Sequence, residues 1–161
     1  MSFDERSFRD ALGLFPTGVA VATTMGEDGM PAGITVNSFS SVSLRPPLVS
    51  FCAGRHLRSF AAFERAPGFA LNLLKRSQAE LSSRFARAGG DKWNDVAHRR
   101  GAHGGVLFDE ALASFDCRIF QRFEAGDHLI LIGEVVSLDA THDESPLLYF
   151  RSGYRELAGA A

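Results

Sequence analysis

The period of apolar and polar positions changes repeatedly along the chain, and each change marks an element. Phe3, Phe8, Ala11, Leu12 and Phe15 recur near helical spacing behind a Ser2 to Glu5 capping-box pair, which predicts an amphipathic helix ending near Phe15-Pro16. Gly18 to Met25 is rich in β-branched residues and reads as a strand. Gly26 to Pro31 has the glycine, aspartate and proline of a hairpin turn, and Ala32 to Phe39 returns as a second strand. Arg45-Pro46-Pro47 breaks the pattern, after which Leu48 to Ala53 reads as a buried third strand. Helical patterns follow at His56 to Arg65 and at Ser77 to Ala88, the second opened by a Ser77 to Glu80 capping box, with a short strand at Phe69 to Leu74 between them. Ala88 to Gly105 is glycine-rich and aperiodic, which predicts a long surface loop of a kind that often carries function. Beyond Leu107 the pattern is β. Ala113, Phe115, Cys117 and Ile119 alternate with Ser114, Asp116 and Arg118, predicting a half-buried strand with its polar residues outward. Glu124 to Asp127 turns the chain, His128 to Leu138 is a longer strand and Leu147 to Arg151 a last one.

Strands joined mostly by turns, with two or three helices inserted irregularly, point to a mainly β fold. A small antiparallel barrel or sandwich of six or seven strands fits, and a doubly wound parallel sheet does not. No G-x-G-x-x-G follows a strand, so a nicotinamide cofactor would not be held in Rossmann fashion. At 161 residues the chain is expected to form one domain, residues 1–161. With 45% hydrophobic and 22% charged residues it is globular, and a net charge of -2 lacks the basic excess that nucleic-acid binding draws on. The 14 phenylalanines, against 2 tyrosines and 1 tryptophan, suggest a Phe-packed core. Cys52 and Cys117 have no zinc-like spacing and read as two buried thiols in a reducing compartment. Met1 to Asp10 is charged, unlike a signal peptide, and the longest apolar run, Leu129 to Ile132, is too short for a membrane span. The expectation is a soluble, cytoplasmic protein.

Three segments carry candidate chemistry. Six of the nine positions from Thr35 to Ser43 bear a hydroxyl or amide, and the neighbours Asn37-Ser38 and Ser40-Ser41 cannot share one face of a strand. Either the strand bends into a loop there or a polar ligand meets it. His56-Leu57-Arg58-Ser59 opens a predicted helix, where free backbone N–H groups, a guanidinium and a hydroxyl suit a phosphate; a solvated first turn is the alternative. Gly126-Asp127-His128 precedes the most apolar strand, so His128 is either a surface residue or satisfied core polar group, or an imidazole aimed from the turn into a pocket with Asp127 orienting it or holding the turn. Lys92, Trp93, Arg99 and Arg100 of the long loop either cover a pocket or form a solvated excursion with Trp93 tucked onto the core. No metal is expected, because His98 and His103 lack a third ligand at helpful spacing. Neither G-x-S-x-G nor a P-loop occurs.

Four fragments in order extend this picture: Phe15-Pro-Thr-Gly-Val-Ala-Val, Gly33-Ile-Thr-Val-Asn-Ser-Phe-Ser-Ser-Val-Ser-Leu-Arg-Pro-Pro-Leu, Gly126-Asp-His with Gly133-Glu-Val, and Pro146-Leu-Leu-Tyr-Phe-Arg-Ser-Gly-Tyr. Together, from about Phe8 to Tyr154, they resemble the short-chain flavin reductases, the reductase partners of two-component flavin-dependent monooxygenases. The resemblance implies an FMN-binding split barrel and a homodimer with the flavin near the subunit interface. It also implies reduction of FMN or FAD by NADH or NADPH for a possible oxygenase component. By that resemblance Thr35, Val36, Asn37, Ser38, Ser40 and Ser41 would lie along the isoalloxazine edge and the phosphate-bearing tail. Phe51, Cys52 and Ala53 would flank the ring through backbone contacts, and Arg58 with Ser59 would receive the flavin phosphate. His128, beside Asp127, would meet the nicotinamide and Tyr154 would close the pocket; roles for Asn72, Phe85 and Phe150 are less defined. Two other readings of such a barrel are a flavin-storing or flavin-sensing protein without turnover and a pyridoxamine-phosphate-oxidase-like enzyme.

Overall fold

The computed structural model describes residues 3–157. Helix α1 (Glu5–Leu12) is capped by Asp4, whose carboxylate accepts a hydrogen bond from the Ser7 N–H at 2.7 Å; Ser2, the expected cap, lies outside the described residues. None of its residues is buried, so the stripe of Phe8 and Leu12 faces outward. Strands β1 (Thr17–Gly18), β2 (Ala20–Met25), β3 (Pro31–Val36), β4 (Ser40–Leu44) and β5 (Pro47–Gly54) lead to helix α2 (Phe60–Arg65) and strand β6 (Gly68–Leu73). After a 3-10 turn at Arg76–Gln78 come helix α3 (Ala79–Ala86) and the short strands β7 (His98–Arg100) and β8 (Val106–Phe108). The long strands β9 (Ala113–Ala125) and β10 (His128–Ala140) follow, then β11 (Leu148–Phe150) and β12 (Gly153–Arg155).

The main sheet has seven strands in the order β3-β2-β6-β9-β10-β5-β4, paired antiparallel throughout. Residues from β2, β3, β5, β6, β9 and β10 all enter one apolar cluster around Phe51, Phe63, Phe69 and Leu131. Strands from both halves of an open sheet reach a common centre only if the sheet rolls up, and the two end strands β3 and β4 then flank the split of the barrel. Phe51 meets Phe63 and Phe69 edge to face, with centroids 5.6 and 4.9 Å apart, which gives the Phe-rich composition its place. A second cluster, with Val19, Val21, Phe85, Phe108 and Leu147, lies against the outer side of β2 under α3, β8 and Trp93. Strand β2 is therefore covered on both faces, the reason Gly18 to Met25 is rich in apolar and β-branched residues, and Thr23 and Thr24 are buried within it by donating their hydroxyls to backbone carbonyls.

Several expectations are corrected. The strand starting at Ala32 ends at Val36, not Phe39: the chain leaves the sheet at Asn37 and re-enters as β4, so Asn37-Ser38 sits in a bend, while Ser40-Ser41 opens β4 just before an irregularity in its pairing with β5. The helix expected from His56 starts only at Phe60. The preceding residues form successive turns, with the Leu57 N–H donating to Gly54 O and the Phe60 N–H to Leu57 O. The Ser77 to Glu80 box is not the start of the next helix; instead the Lys75 N–H donates to Gln78 Oε1 at 2.9 Å and α3 runs from Ala79 to Ala86. The stretch expected to be a loop from Ala88 to Gly105 contains β7, which pairs with β8. Ser114 and Asp116, expected to point to solvent, are 2% exposed. The segment leading into β8 folds over that face of β9, and its Ala102 N–H donates to Asp116 Oδ2 at 2.7 Å; Ser114 Oγ donates instead to Asn72 Oδ1 of the neighbouring strand β6 at 2.8 Å.

That burial has a chemical consequence next door. Burial, then the charge of Asp116, pushes the Cys117 thiol up to about 12. Since the thiolate is the nucleophile, Cys117 is protonated and inert at neutral pH. A thiol reagent added to the native protein is expected to label the half-buried Cys52 and to reach Cys117 only in denaturant; two fast-reacting thiols in the native state would contradict the burial.

Candidate functional site

A trough runs along β3 and changes character along its length. At its start is a cleft of about 560 Å³ between Pro31–Thr35, the turn His56–Ser59, the end of α3 and residues 87–93. Arg58, Arg87 and Lys92 line it together with His56, and no carboxylate does. Lys92 ties this wall together, its ammonium donating to Phe85 O at 3.1 Å and facing Gly33 O at 3.5 Å, and burial lowers its pKa. Trp93 meets Phe85 edge to face at 5.1 Å. Gly33 permits this packing, since a Cβ there would stand 2.6 Å from Phe85 Cε1 and 3.3 Å from Trp93 Cζ2.

Thr35 belongs both to this cleft and to a groove of about 220 Å³ that continues past Val36, Asn37, Ser82, Tyr149 and Tyr154. The polar side chains along it are fixed: Thr35 Oγ1 donates to Ser82 O at 2.6 Å, and the Tyr154 hydroxyl donates to Ser82 Oγ at 2.8 Å. Asn37 is also on the wall of a hollow of about 370 Å³ whose lining, including Phe15, Val19, Phe39 and Leu112, is largely apolar. The series therefore passes from a cationic end, through hydroxyl and amide groups, to an apolar end. An elongated ligand with an anionic terminus and a flat, weakly polar body matches that gradient.

The structure distributes the sequence-derived residues over three places. Thr35, Val36, Asn37 and Tyr154 line the groove, and Arg58 and Ser59 line the cleft. Ser38, Ser40, Ser41 and Cys52 lie instead along β4 and the neighbouring face of β5: Ser38 Oγ accepts from the Cys52 N–H at 3.0 Å, and Ser40 Oγ donates to Ser41 O at 3.1 Å. Phe51 and Ala53 are fully buried in the barrel core, which leaves only their backbone for any ligand. Asp127 and His128 form the third place, at the turn into β10, with Asp127 Oδ1 2.7 Å from His128 Nδ1. The bond from His128, then its charge, holds the Asp127 carboxyl below its ordinary range, so Asp127 is ionised at neutral pH and His128 has its Nδ1 position fixed. In register, His128 stands opposite Gly54 at the end of β5, beside the turn that carries His56 and Arg58.

Arg87 and Ser82 carry no sequence signal; each becomes visible only when α3 and the following loop pack against β3. Phe85 takes its place as the floor under Trp93, whereas Asn72 is fully buried beneath β8 and works through the fold. Among the described residues no helix is long and apolar enough to cross a membrane.

Known proteins share this architecture. The chain is 40% identical over 153 residues to a flavin reductase from Pseudomonas putida, covering 95% of this chain and 90% of that one. It is 38% identical to the flavin-dependent monooxygenase reductase subunit HsaB of Rhodococcus jostii, over 95% of this chain and 78% of that protein. The solved structure of the Streptomyces globisporus NADH:FAD oxidoreductase SgcE6, in complex with NAD and FAD fragments, superposes with a TM-score of 0.91 at 34% identity, covering 98% of this chain and 95% of that one. With a flavin reductase like domain matching residues 12–158, the chain belongs to that family.

Proposed function

We propose that this protein is an NAD(P)H:flavin oxidoreductase that reduces FMN or FAD with NADH or NADPH and supplies the reduced flavin to a partner monooxygenase. The observation that carries the reading is the graded trough along β3, cationic at one end and apolar at the other, with an aspartate-held imidazole at the neighbouring turn. The donor set fits a flavin. Arg58 and Ser59, with Arg87 and Lys92, hold the phosphate end, while Thr35, Val36 and Asn37 lie along the ring system and Tyr154 closes the groove over it. Ser38, Ser40, Ser41 and the backbone of Phe51, Cys52 and Ala53 approach from the β4–β5 side. A flavin held there would supply the acceptor for the hydride of the reduced nicotinamide, so the protein's own task is to stack the two rings and shield them from water. Asp127 fixes the orientation of His128, which receives the nicotinamide nucleotide.

The protein works as a single-domain homodimer in the cytoplasm. Exposed Phe123, Val136 and Leu138 on β9 and β10, with Val42 and Leu44 on the edge strand β4, supply apolar surface for a second copy, and the free thiols Cys52 and Cys117 suit a reducing compartment.

Anaerobic mixing of the protein with FMN or FAD and each reduced nicotinamide tests the function, read as bleaching of the flavin absorbance. Rapid bleaching with at least one pair is expected; a protein that turns yellow with flavin yet ignores both nicotinamides is a flavin holder instead. In the same assay His128→Ala is expected to raise the KM for the nicotinamide nucleotide by about tenfold or more, the weight of one hydrogen bond to a charged group, with the melting temperature unchanged. Stopped-flow reduction as fast as the parent's at every nucleotide concentration would remove His128 from the site.

A further inference from the structure

Two imidazoles, not one, converge at the turn into β10. A Cβ added to Gly54 would stand 2.7 Å from His56 Cε1, 2.9 Å from His56 Nδ1 and 3.4 Å from His128 Nε2, so the two rings approach the same bare Cα. The turns that carry them are clipped together, the Arg55 N–H donating to Asp127 O at 2.9 Å. Arg55 itself is committed elsewhere: its guanidinium pairs with Glu124 at 2.8 Å and lies 5.4 Å over the Phe60 ring. Of the influences that hold the Asp127 carboxyl below its ordinary range, His56 is the smallest, behind the bond from His128 and its charge. His56 is exposed and also lines the cleft with Arg58 and Lys92, so one side chain belongs to both the cationic cleft and the His128 turn.

We infer that His56 is a second imidazole of the nicotinamide-nucleotide subsite, donating a hydrogen bond to the dinucleotide's diphosphate across Gly54 from His128. The inference rests on the oxidoreductase reading above. A reduced nicotinamide ring is uncharged, so the diphosphate carries the charge by which a dinucleotide can be gripped, and an imidazole N–H is a donor whether the ring is neutral or protonated. The missing side chain of Gly54 lets the His56 ring come close to the strand end that faces His128, and Asp127 orients His128, so the pair is set before the nucleotide arrives.

The test compares the full-length protein with His56→Ala and His56→Gln, measuring the flavin Kd by fluorescence titration and KM and kcat with NADH and NADPH. His56→Ala is expected to raise the nucleotide KM by about tenfold, with kcat and flavin Kd within about twofold of the parent, as one lost hydrogen bond to a charged group dictates. His56→Gln, which keeps an N–H donor, recovers most of that loss, an outcome that a purely structural role for the ring does not produce. An unchanged KM in His56→Ala overturns the inference, as does a rise confined to the flavin Kd, which would assign His56 to the flavin phosphate instead. A parent protein that reduces flavin with neither nucleotide overturns the oxidoreductase reading, and this inference with it; a normal parent beside an indifferent His56→Ala overturns the inference alone.

Discussion

Asn72→Leu is expected to lose about 3 kcal/mol or more of folding stability, because it removes a buried amide whose donors and acceptor are all in use and strands the Phe108 N–H. Asn72 sits on β6 with no exposure to solvent, and every hydrogen-bonding direction of its amide is used. Its Nδ2 donates to Val21 O at 3.2 Å and to Val106 O at 3.0 Å, while Oδ1 accepts from the Phe108 N–H and from Ser114 Oγ, both at 2.8 Å. Thr23 adds a second stitch to the same segment, donating to Val106 O at 2.5 Å and accepting from the Val106 N–H at 3.2 Å. Leucine has a similar volume but no polar atom, so the Phe108 N–H would be left in an apolar interior without a partner and the Ser114 hydroxyl with only its long contact to Phe108 O at 3.5 Å. The damage should reach the site. Phe108 packs against Phe85 and Trp93 at 5.5 and 6.0 Å, and those rings form the wall of the cationic cleft. Urea unfolding followed by intrinsic fluorescence measures the loss, and a midpoint within error of the parent would mean that β8 is held by apolar packing alone. Asn72→Asp is the sharper companion, since it sets a carboxylate oxygen against the carbonyls of Val21 and Val106.

Arg58→Ala is expected to weaken flavin binding by about 1.5–3 kcal/mol, roughly ten- to a hundredfold in Kd, with the melting temperature unchanged. The stability side of that expectation follows from Arg58 being exposed and outside the core clusters. The binding side follows from the cleft, where Arg58 shares with Arg87 and Lys92 the lining of a cavity free of carboxylates. The lower end of the range applies if the ligand phosphate stays partly hydrated. Riboflavin gives the control. It lacks the phosphate, so its affinity should be nearly indifferent to the substitution; equal losses for riboflavin and FMN would show that Arg58 acts through the shape of the cleft and not through charge.

Much of the barrel was legible because burial is periodic. Gly18 to Met25, Leu48 to Ala53 and Phe69 to Leu74 each appear as strands within a residue or two of their predicted limits, since strands covered on one or both faces announce themselves in apolar content. What misled the reading was a face covered by something distant in sequence. Alternation along Ala113 to Ile119 predicts Ser114 and Asp116 at the surface, yet both are buried, because the segment Gly101–Phe108 crosses that face, its Ala102 N–H donating to Asp116 while the Ser114 hydroxyl donates to Asn72. No local pattern can distinguish a polar residue facing water from one facing a backbone donor. The His56 to Arg65 pattern failed for a related reason. Apolar spacing suited a helix throughout, but the turn bonds of Gly54 to Phe60 used the first residues to bring His56 and Arg58 to the cleft.

By itself the sequence determined the antiparallel β class, the resemblance to flavin reductases and the chemical nature of the Arg58-Ser59 and Asp127-His128 pairs, because all of these are written in residue type and short-range order. Only the tertiary structure decided that Arg58 shares a cleft with Arg87 and Lys92, that Asn72 and Thr23 fasten a strand drawn from an apparent loop, and that His56 faces His128 across Gly54. These are contacts between segments whose separation along the chain carries no periodic signal; they exist because the sheet rolls up and sets the ends of its strands beside one another.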